Sequence, residues 1–397
     1  MTGPPVADRD FRQVVAALAL GQIISWAALY YAFSSFVLPM MRELGWDKAT
    51  LMGAFTLGLA VWGAATYAAG AAIDRGQGRR VMTLGSVLAG AGFLLWSQVV
   101  SPAGLYAACA VLGAAMAMTL YEPAFNVLTK RYPTRYTQGI TTLTLVGGFA
   151  STLSFPASAA LIQAFGWRGA LVFIGAVLLL GVAPLHAWAL RGPALAATVH
   201  GADELADATL HEALRERSFW LLTLCFMLYA FASAALWAHV MPAFAAKGLS
   251  EAQALAVLVW IGPAQVAGRF VYAWAGRGVS LRALGLFVLL GMPAALALFA
   301  LSTQLWPLFG FAVLFGVANG LVTIVRGGLV PQYFGRAHIG RIGGVMSGVG
   351  LLARAAAPLV AAWMLLALPG YREVLLALAA LGVAAALAFA AARPPAG

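Results

Sequence analysis

Four ionisable residues stand inside long apolar runs of this 397-residue chain: Glu122, Arg269, Arg326 and Arg354. A charge at the centre of a bilayer costs roughly 2.5–17 kcal/mol, so each must find a partner or face a wet cavity. Three cations against one anion leave an excess of positive charge, which an anion from outside the protein would neutralise. A guanidinium meets a carboxylate with two parallel hydrogen bonds, so the chemistry on offer is carboxylate recognition. Arg354 lies near the middle of its run, Arg269 somewhat off-centre, and Glu122 and Arg326 towards run ends. Glu122 is also a candidate proton carrier, as is His239, because imidazole titrates near neutral pH. His239 and Met241 with Met116 and Met118 offer a soft-metal reading. It is the weakest one, since twelve methionines in so apolar a chain need no metal. Tyr30, Tyr31 and Tyr121 are candidates either for lining a cavity or for packing between helices. No Walker loop, HExxH or GxSxG motif is present, so neither an enzyme nor a cofactor is expected.

The elements that must position these residues follow from composition. The chain is 62% hydrophobic and 9% charged, against about 25% charged for a soluble domain. Barrel strands alternate apolar and polar residues, whereas this chain has uncharged runs of twenty or more. The expectation is an all-α polytopic membrane protein. The net charge of +11 comes from short basic clusters between apolar runs, a positive-inside pattern and not a nucleic-acid face. Cys109 and Cys225 read as small hydrophobes.

About 20 apolar residues cross the hydrocarbon. Twelve spans are expected, at 14–41, 51–73, 81–100, 103–128, 139–163, 169–190, 219–244, 252–276, 283–302, 305–329, 343–368 and 372–392. The first thirteen residues form a polar tail, and the run after them is a span and not a signal peptide. With the N-terminus inside, sixteen Lys and Arg fall in inside segments and five outside, which places both termini in the cytoplasm. The stretch 191–218 is rich in acid and reads as a cytoplasmic linker with an amphipathic helical stretch. It joins an N-terminal half (1–190) to a C-terminal half (219–397).

The halves repeat one another. Pro39 and Gly45 match Pro242 and Gly248 at an offset of 203; Thr119 and Glu122 match Thr323 and Arg326 at 204. Gly166, Trp167 and Arg168 match Gly370, Tyr371 and Arg372, also at 204. Two like halves with a midplane site between them form a carrier architecture.

DRGQGRRVM (Asp74 to Met82) is similar to the DRxGRR loop of the major facilitator superfamily, and GWRGALVF recurs there between spans 5 and 6. The stretch LGWDKATLMGAF through DRGQGRRVM resembles the monocarboxylate and oxalate:formate branch, although SWAALYYAF replaces that branch's acidic first-span signature. The resemblance implies two pseudo-symmetric six-helix bundles and secondary transport by alternating access. The substrate would be a mono- or dicarboxylate, driven by proton symport or anion exchange. It implies that Arg269 and Arg354 bind the anion, with Gln265 where monocarboxylate carriers place an Asp. The alternative has Arg269 snorkelling to headgroups and Arg354 on helix carbonyls. It implies that Asp74, Arg75, Arg79 and Arg80 latch the halves, against a plain basic cluster turning at Gly76 and Gly78. Glu122 would pair with Arg79 or Arg80 as a gate, and Arg326 is its counterpart. The rival reading is a proton-driven drug exporter of the same fold. A monomer in the bacterial inner membrane is expected, with the lipid bilayer, a small anion, and protons or a counter-anion as partners, and no nucleic acid.

Overall fold

With no water in hydrocarbon, backbone groups must bond internally, and uninterrupted apolar runs do so as helices. The computed structural model describes residues 5–192 and 207–393, and every regular element there is helical. In chain order they are α1 (Pro5–Trp26), a π turn (Ala27–Tyr31), α2 (Phe33–Leu44), α3 (Lys48–Asp74), α4 (Gly78–Ser97), α5 (Pro102–Thr119), α6 (Tyr121–Arg131), α7 (Tyr136–Gly147), α8 (Ala150–Val177) and α9 (Ala183–Ala189). There follow α10 (Leu210–Arg215), α11 (Arg217–Ala245), α12 (Glu251–Leu258), α13 (Ile261–Ala275), α14 (Leu281–Leu301), α15 (Leu305–Phe334), α16 (Ile339–Ala367) and α17 (Tyr371–Ala391). Eleven stretches among the described residues are long and apolar enough to span a membrane. One of them, 152–189, is interrupted at Gly166 (φ 68°, ψ 170°), which no helix contains. Counting its two arms separately, the first continuing α7, gives the twelve-helix fold. The amphipathic stretch of the linker appears as α10, closed by a capping box between Thr209 and Glu212. The linker residues 193–206, with Asp203 and Glu204, lie outside the described residues.

The chain divides into two compact units. One is Met1–Glu204 with Arg336–Val345; the other is Leu205–Gly335 with Met346–Gly397. The first turns of α16 therefore count with the first unit, a boundary the sequence does not signal.

The repeat is visible in local geometry. Gly45 and Gly248 end α2 and α11 with φ of 69° and 77°, a left-handed turn that favours glycine. Asp47 and Ser250 then cap the next helices through Thr50 N–H and Gln253 N–H. Asp47's carboxyl is held below its usual range by the Thr50 backbone bond. Small residues let membrane helices approach closely, and they do so twice. A Cβ on Gly113 would meet the Gly58 carbonyl at 2.1 Å, and one on Gly316 would meet the Ile261 carbonyl at 2.6 Å. These seat α5 on α3 and α15 on α13 at the offset of 203.

One repeated contact has changed hands. In the first unit Arg168 donates to the carbonyls of Ser97 and Val99, and its Nε reaches Glu43 at 3.0 Å. In the second unit the counterpart carbonyls, Ala300 and Ser302, accept from Lys247 at 3.1 and 2.8 Å. Burial lowers the Lys247 pKa, and Arg372 adds to the effect.

The fourth span is broken. Pro123 has no N–H to give the Thr119 carbonyl four residues before it, and Leu120 is extended (φ −75°, ψ −157°) between α5 and α6. Gln22 of α1, fully buried, donates its Nε2 to Thr119 O at 2.7 Å and to Leu120 O at 3.3 Å. A buried polar group left unmet costs about 1–3 kcal/mol. Gln22→Leu should therefore destabilise the fold by about that much, read as a lower melting temperature of the purified protein in detergent. An unchanged melt would mean that the break is satisfied some other way.

Candidate functional site

Of the four ionisable residues inside the apolar runs, Arg354 is the exposed one. It is the sixteenth of 29 residues in α16, solvent-accessible, and among the described residues it makes no hydrogen bond or ion pair. Pro358, four residues on, has no N–H for the Arg354 carbonyl, so this stretch of α16 carries both a free cation and a weakened backbone ladder. The guanidinium acts electrostatically on Tyr229 of α11. Tyr229 is 5% exposed, and its hydroxyl has no hydrogen-bond partner. A guanidinium with no ion pair suits an ionised oxygen. The sequence reading missed Tyr229. It surveyed ionisable side chains, and a lone tyrosine in an apolar run carries no such mark.

Arg269 behaves differently. It is 5% exposed in α13 and its Nε donates to the Gly320 carbonyl of α15 at 2.9 Å. It lies at the helix contact where a Cβ on Gly320 would meet Gln265's backbone. Gln265 and Arg269 thus share one turn of α13, with Gln265 half-buried. Arg326 of α15 donates to Ser347 Oγ of α16 at 2.6 Å. His239, near the end of α11, bonds the Pro358 carbonyl through Nε2 at 3.0 Å, so Nε2 carries the proton and Nδ1 faces the Tyr371 hydroxyl at 3.5 Å. All of these belong to the second unit.

The first unit holds the remaining candidates. Asp74, its side chain 2% exposed, lies 3.3 Å from the Lys130 ammonium and accepts from the Gly340 and Arg341 N–H groups at 2.9 Å each. It is at once an ion-pair partner and the cap of α16, where a carboxylate also suits the positive helix end. Gly70 and Gly340 allow this approach, since a Cβ on either would meet the other's carbonyl at 2.2 Å or less. The sequence suggested Arg79 and Arg80 as the partners of Asp74; the structure supplies Lys130. Arg79 donates to the Ala187 carbonyl instead, at 2.8 Å. Neither Arg79 nor Arg80 forms an ion pair among the described residues, so the expected pair with Glu122 is not formed. Glu122 sits in the first turn of α6, where the helix dipole favours it. Arg75, Arg79, Arg80, Lys130 and Arg131 line one basic cleft of about 830 Å³.

Tyr30, Tyr31 and Tyr121 are brought together by a residue the sequence reading did not name. Trp26 places its ring centre 5.5, 6.3 and 4.9 Å from theirs. Spacing was the available signal, for Gln22, Trp26 and Tyr30 recur every four residues on one face of a helix.

The search for known relatives agrees with this architecture. A family model described as "Major Facilitator Superfamily" matches residues 18–302. The chain is 29% identical over 188 residues to monocarboxylate transporter 11 of Homo sapiens, covering 45% of this chain and 37% of that protein. The Mus musculus protein of the same name matches at the same identity, over 39% of its length. The match thus spans well under half of those curated relatives. Among solved structures, the human organic anion transporter TETRAN superposes with a TM-score of 0.74 at 19% identity, over 98% of this chain and 100% of that one. The E. coli fucose:proton symporter does so at 0.74 and 13%, over 96% and 98%. At these identities the likeness is one of fold. The family match covers more than half of the chain. The chain belongs to the major facilitator superfamily, whose members are membrane transporters of the secondary type.

Proposed function

We propose that this carrier moves a small organic anion, a mono- or dicarboxylate, by alternating access, and that Arg354 is the charge that receives it. The observation that carries the reading is the accessible guanidinium in the middle of α16 with no ion pair among the described residues. Tyr229 of the same unit holds a buried hydroxyl with no partner. A bare cation at that depth is costly, and a carboxylate removes the cost. Arg269, held by the Gly320 carbonyl, adds positive potential from within the same unit. The partial likeness to a monocarboxylate transporter supports the same substrate class. Coupling is by proton symport or anion exchange. Lys and Arg distribution supports cytoplasmic termini, and the expected setting is a monomer in a bacterial inner membrane.

The test is a binding titration of the purified chain against mono- and dicarboxylates. Charge-assisted bonds contribute roughly 1.5–3 kcal/mol, about ten- to a hundredfold in affinity. Arg354→Ala should weaken carboxylate binding by that factor, and Arg354→Lys by less if the contact is mainly charge. Arg326→Ala, whose guanidinium is engaged by Ser347, should leave affinity intact and slow turnover. Wild-type affinity in Arg354→Ala would overturn the assignment.

Asp74 should govern the conformational balance and not the site. Asp74→Asn removes the charge facing Lys130 and the α16 N-terminus. Transport of labelled substrate should fall while ligand affinity stays within about twofold. Loss of binding at normal folded yield would contradict the latch.

For coupling, Glu122→Gln or His239→Gln should uncouple uptake from a pH gradient yet preserve exchange of labelled substrate. Unaltered pH dependence in either variant clears that residue of proton transfer.

A further inference from the structure

Five aromatic rings of the first unit gather where two of its helices lose regularity. Trp26 is their hub, with Tyr121 at 4.9 Å, Tyr30 at 5.5 Å, Trp62 at 5.9 Å and Tyr31 at 6.3 Å between ring centres. Tyr30 and Tyr31 belong to the π turn Ala27–Tyr31, and Tyr121 directly follows the extended Leu120. Single π turns in helices concentrate at functional sites, and interrupted membrane helices are tolerated where they are buried in protein or line a cavity. Neither irregularity is needed merely to pack rings. Trp26, Tyr30, Tyr31 and Tyr121 are also only half-buried, so the cluster keeps accessible faces.

A second, independent observation concerns polar atoms. Trp62 is 4% exposed, yet its indole N–H has no acceptor. The Trp26 N–H has none either, and Gln22 Oε1, one turn earlier on α1, has no donor. Buried polar atoms in native structures are nearly always paired, and each exception calls for an explanation such as an absent ligand. Phenylalanine would supply an aromatic ring without an orphaned donor. A hydrogen-bonding guest with a flat apolar face satisfies both observations at once.

We infer that this cluster is a subsite for an aromatic ring of the transported solute, with the indole N–H of Trp26 or Trp62 donating to an oxygen on it. The solute class is therefore one that carries an aromatic ring. The inference rests on the anion reading for the charge, while the ring subsite stands on the first unit alone.

Three probes separate the two claims: phenylacetate, cyclohexylacetate and phenylacetamide, titrated against the purified full-length chain. Phenylacetate should bind about two- to tenfold more tightly than cyclohexylacetate, the range that aromatic pairs supply beyond area burial. Trp26→Leu should erase that preference. Trp62→Leu, which removes a second ring of the cluster, should reduce it. Equal affinity for phenylacetate and cyclohexylacetate in the wild type overturns the subsite, and the anion reading then survives if phenylacetamide fails to bind. Phenylacetamide binding as tightly as phenylacetate sinks the anion reading and leaves the ring subsite standing. Preference retained in Trp26→Leu, or in Trp62→Leu and Tyr30→Leu should the first variant not fold, also overturns the subsite. So does the absence of any phenylacetate binding at millimolar concentration.

Discussion

A charge or an open backbone group inside hydrocarbon has to be answered by something, and this requirement organises the whole molecule. Most of the intramembrane charges are answered from within. Asp74 faces Lys130 and two backbone N–H groups of α16. Arg269 is tied to the Gly320 carbonyl and Arg326 to the Ser347 hydroxyl. Arg354 is the exception, because no hydrogen bond or ion pair engages it among the described residues. In a soluble protein an accessible arginine needs no explanation. In the middle of a 29-residue apolar helix it is a charge that the fold itself leaves unanswered, and the proposed anion would answer it.

Backbone groups obey the same rule. Pro123 breaks the fourth span, and Gln22 answers the carbonyls that the break releases. That single side chain ties the first helix to the discontinuity and fixes Trp26, one turn on, beside Tyr121. The duplicated ancestry persists in the same currency of satisfied carbonyls. Equivalent carbonyls at the ends of α4 and α14 are met in both units, by Arg168 in one and by Lys247 in the other. What duplication preserved is the need, and the residue meeting it was free to change.

The spans were legible because apolar runs and hydrocarbon thickness leave little choice, and every expected span lies on a helix within a few residues. The link at Gly166 falls between the expected spans 139–163 and 169–190, whereas the π turn at Ala27–Tyr31 and the break at Leu120 were not read. These are local failures of one helical bond, and only Pro123 announces any of them in the sequence. The candidate residues were legible as types but not as partners. Asp74 stood out in its motif, yet Lys130 lies 56 positions away, and no spacing rule connects them. Glu122 and Arg79 looked complementary, but Arg79 is engaged by the Ala187 carbonyl. Tyr229, Trp26 and Trp62 went unnoticed because uncharged side chains in apolar runs look like packing until their hydrogen bonds are examined.

The central claim is that Arg354 awaits an anion, and ligand charge is the most direct variable to test it with. Ligands that bind only the folded state raise its melting temperature with concentration. Thermal melts of the purified wild-type chain across carboxylates, their neutral amides and cationic drugs would expose the sign of the site. The account predicts a concentration-dependent rise with one or more carboxylates and none with the matching amides. A rise with cationic drugs alone would contradict it.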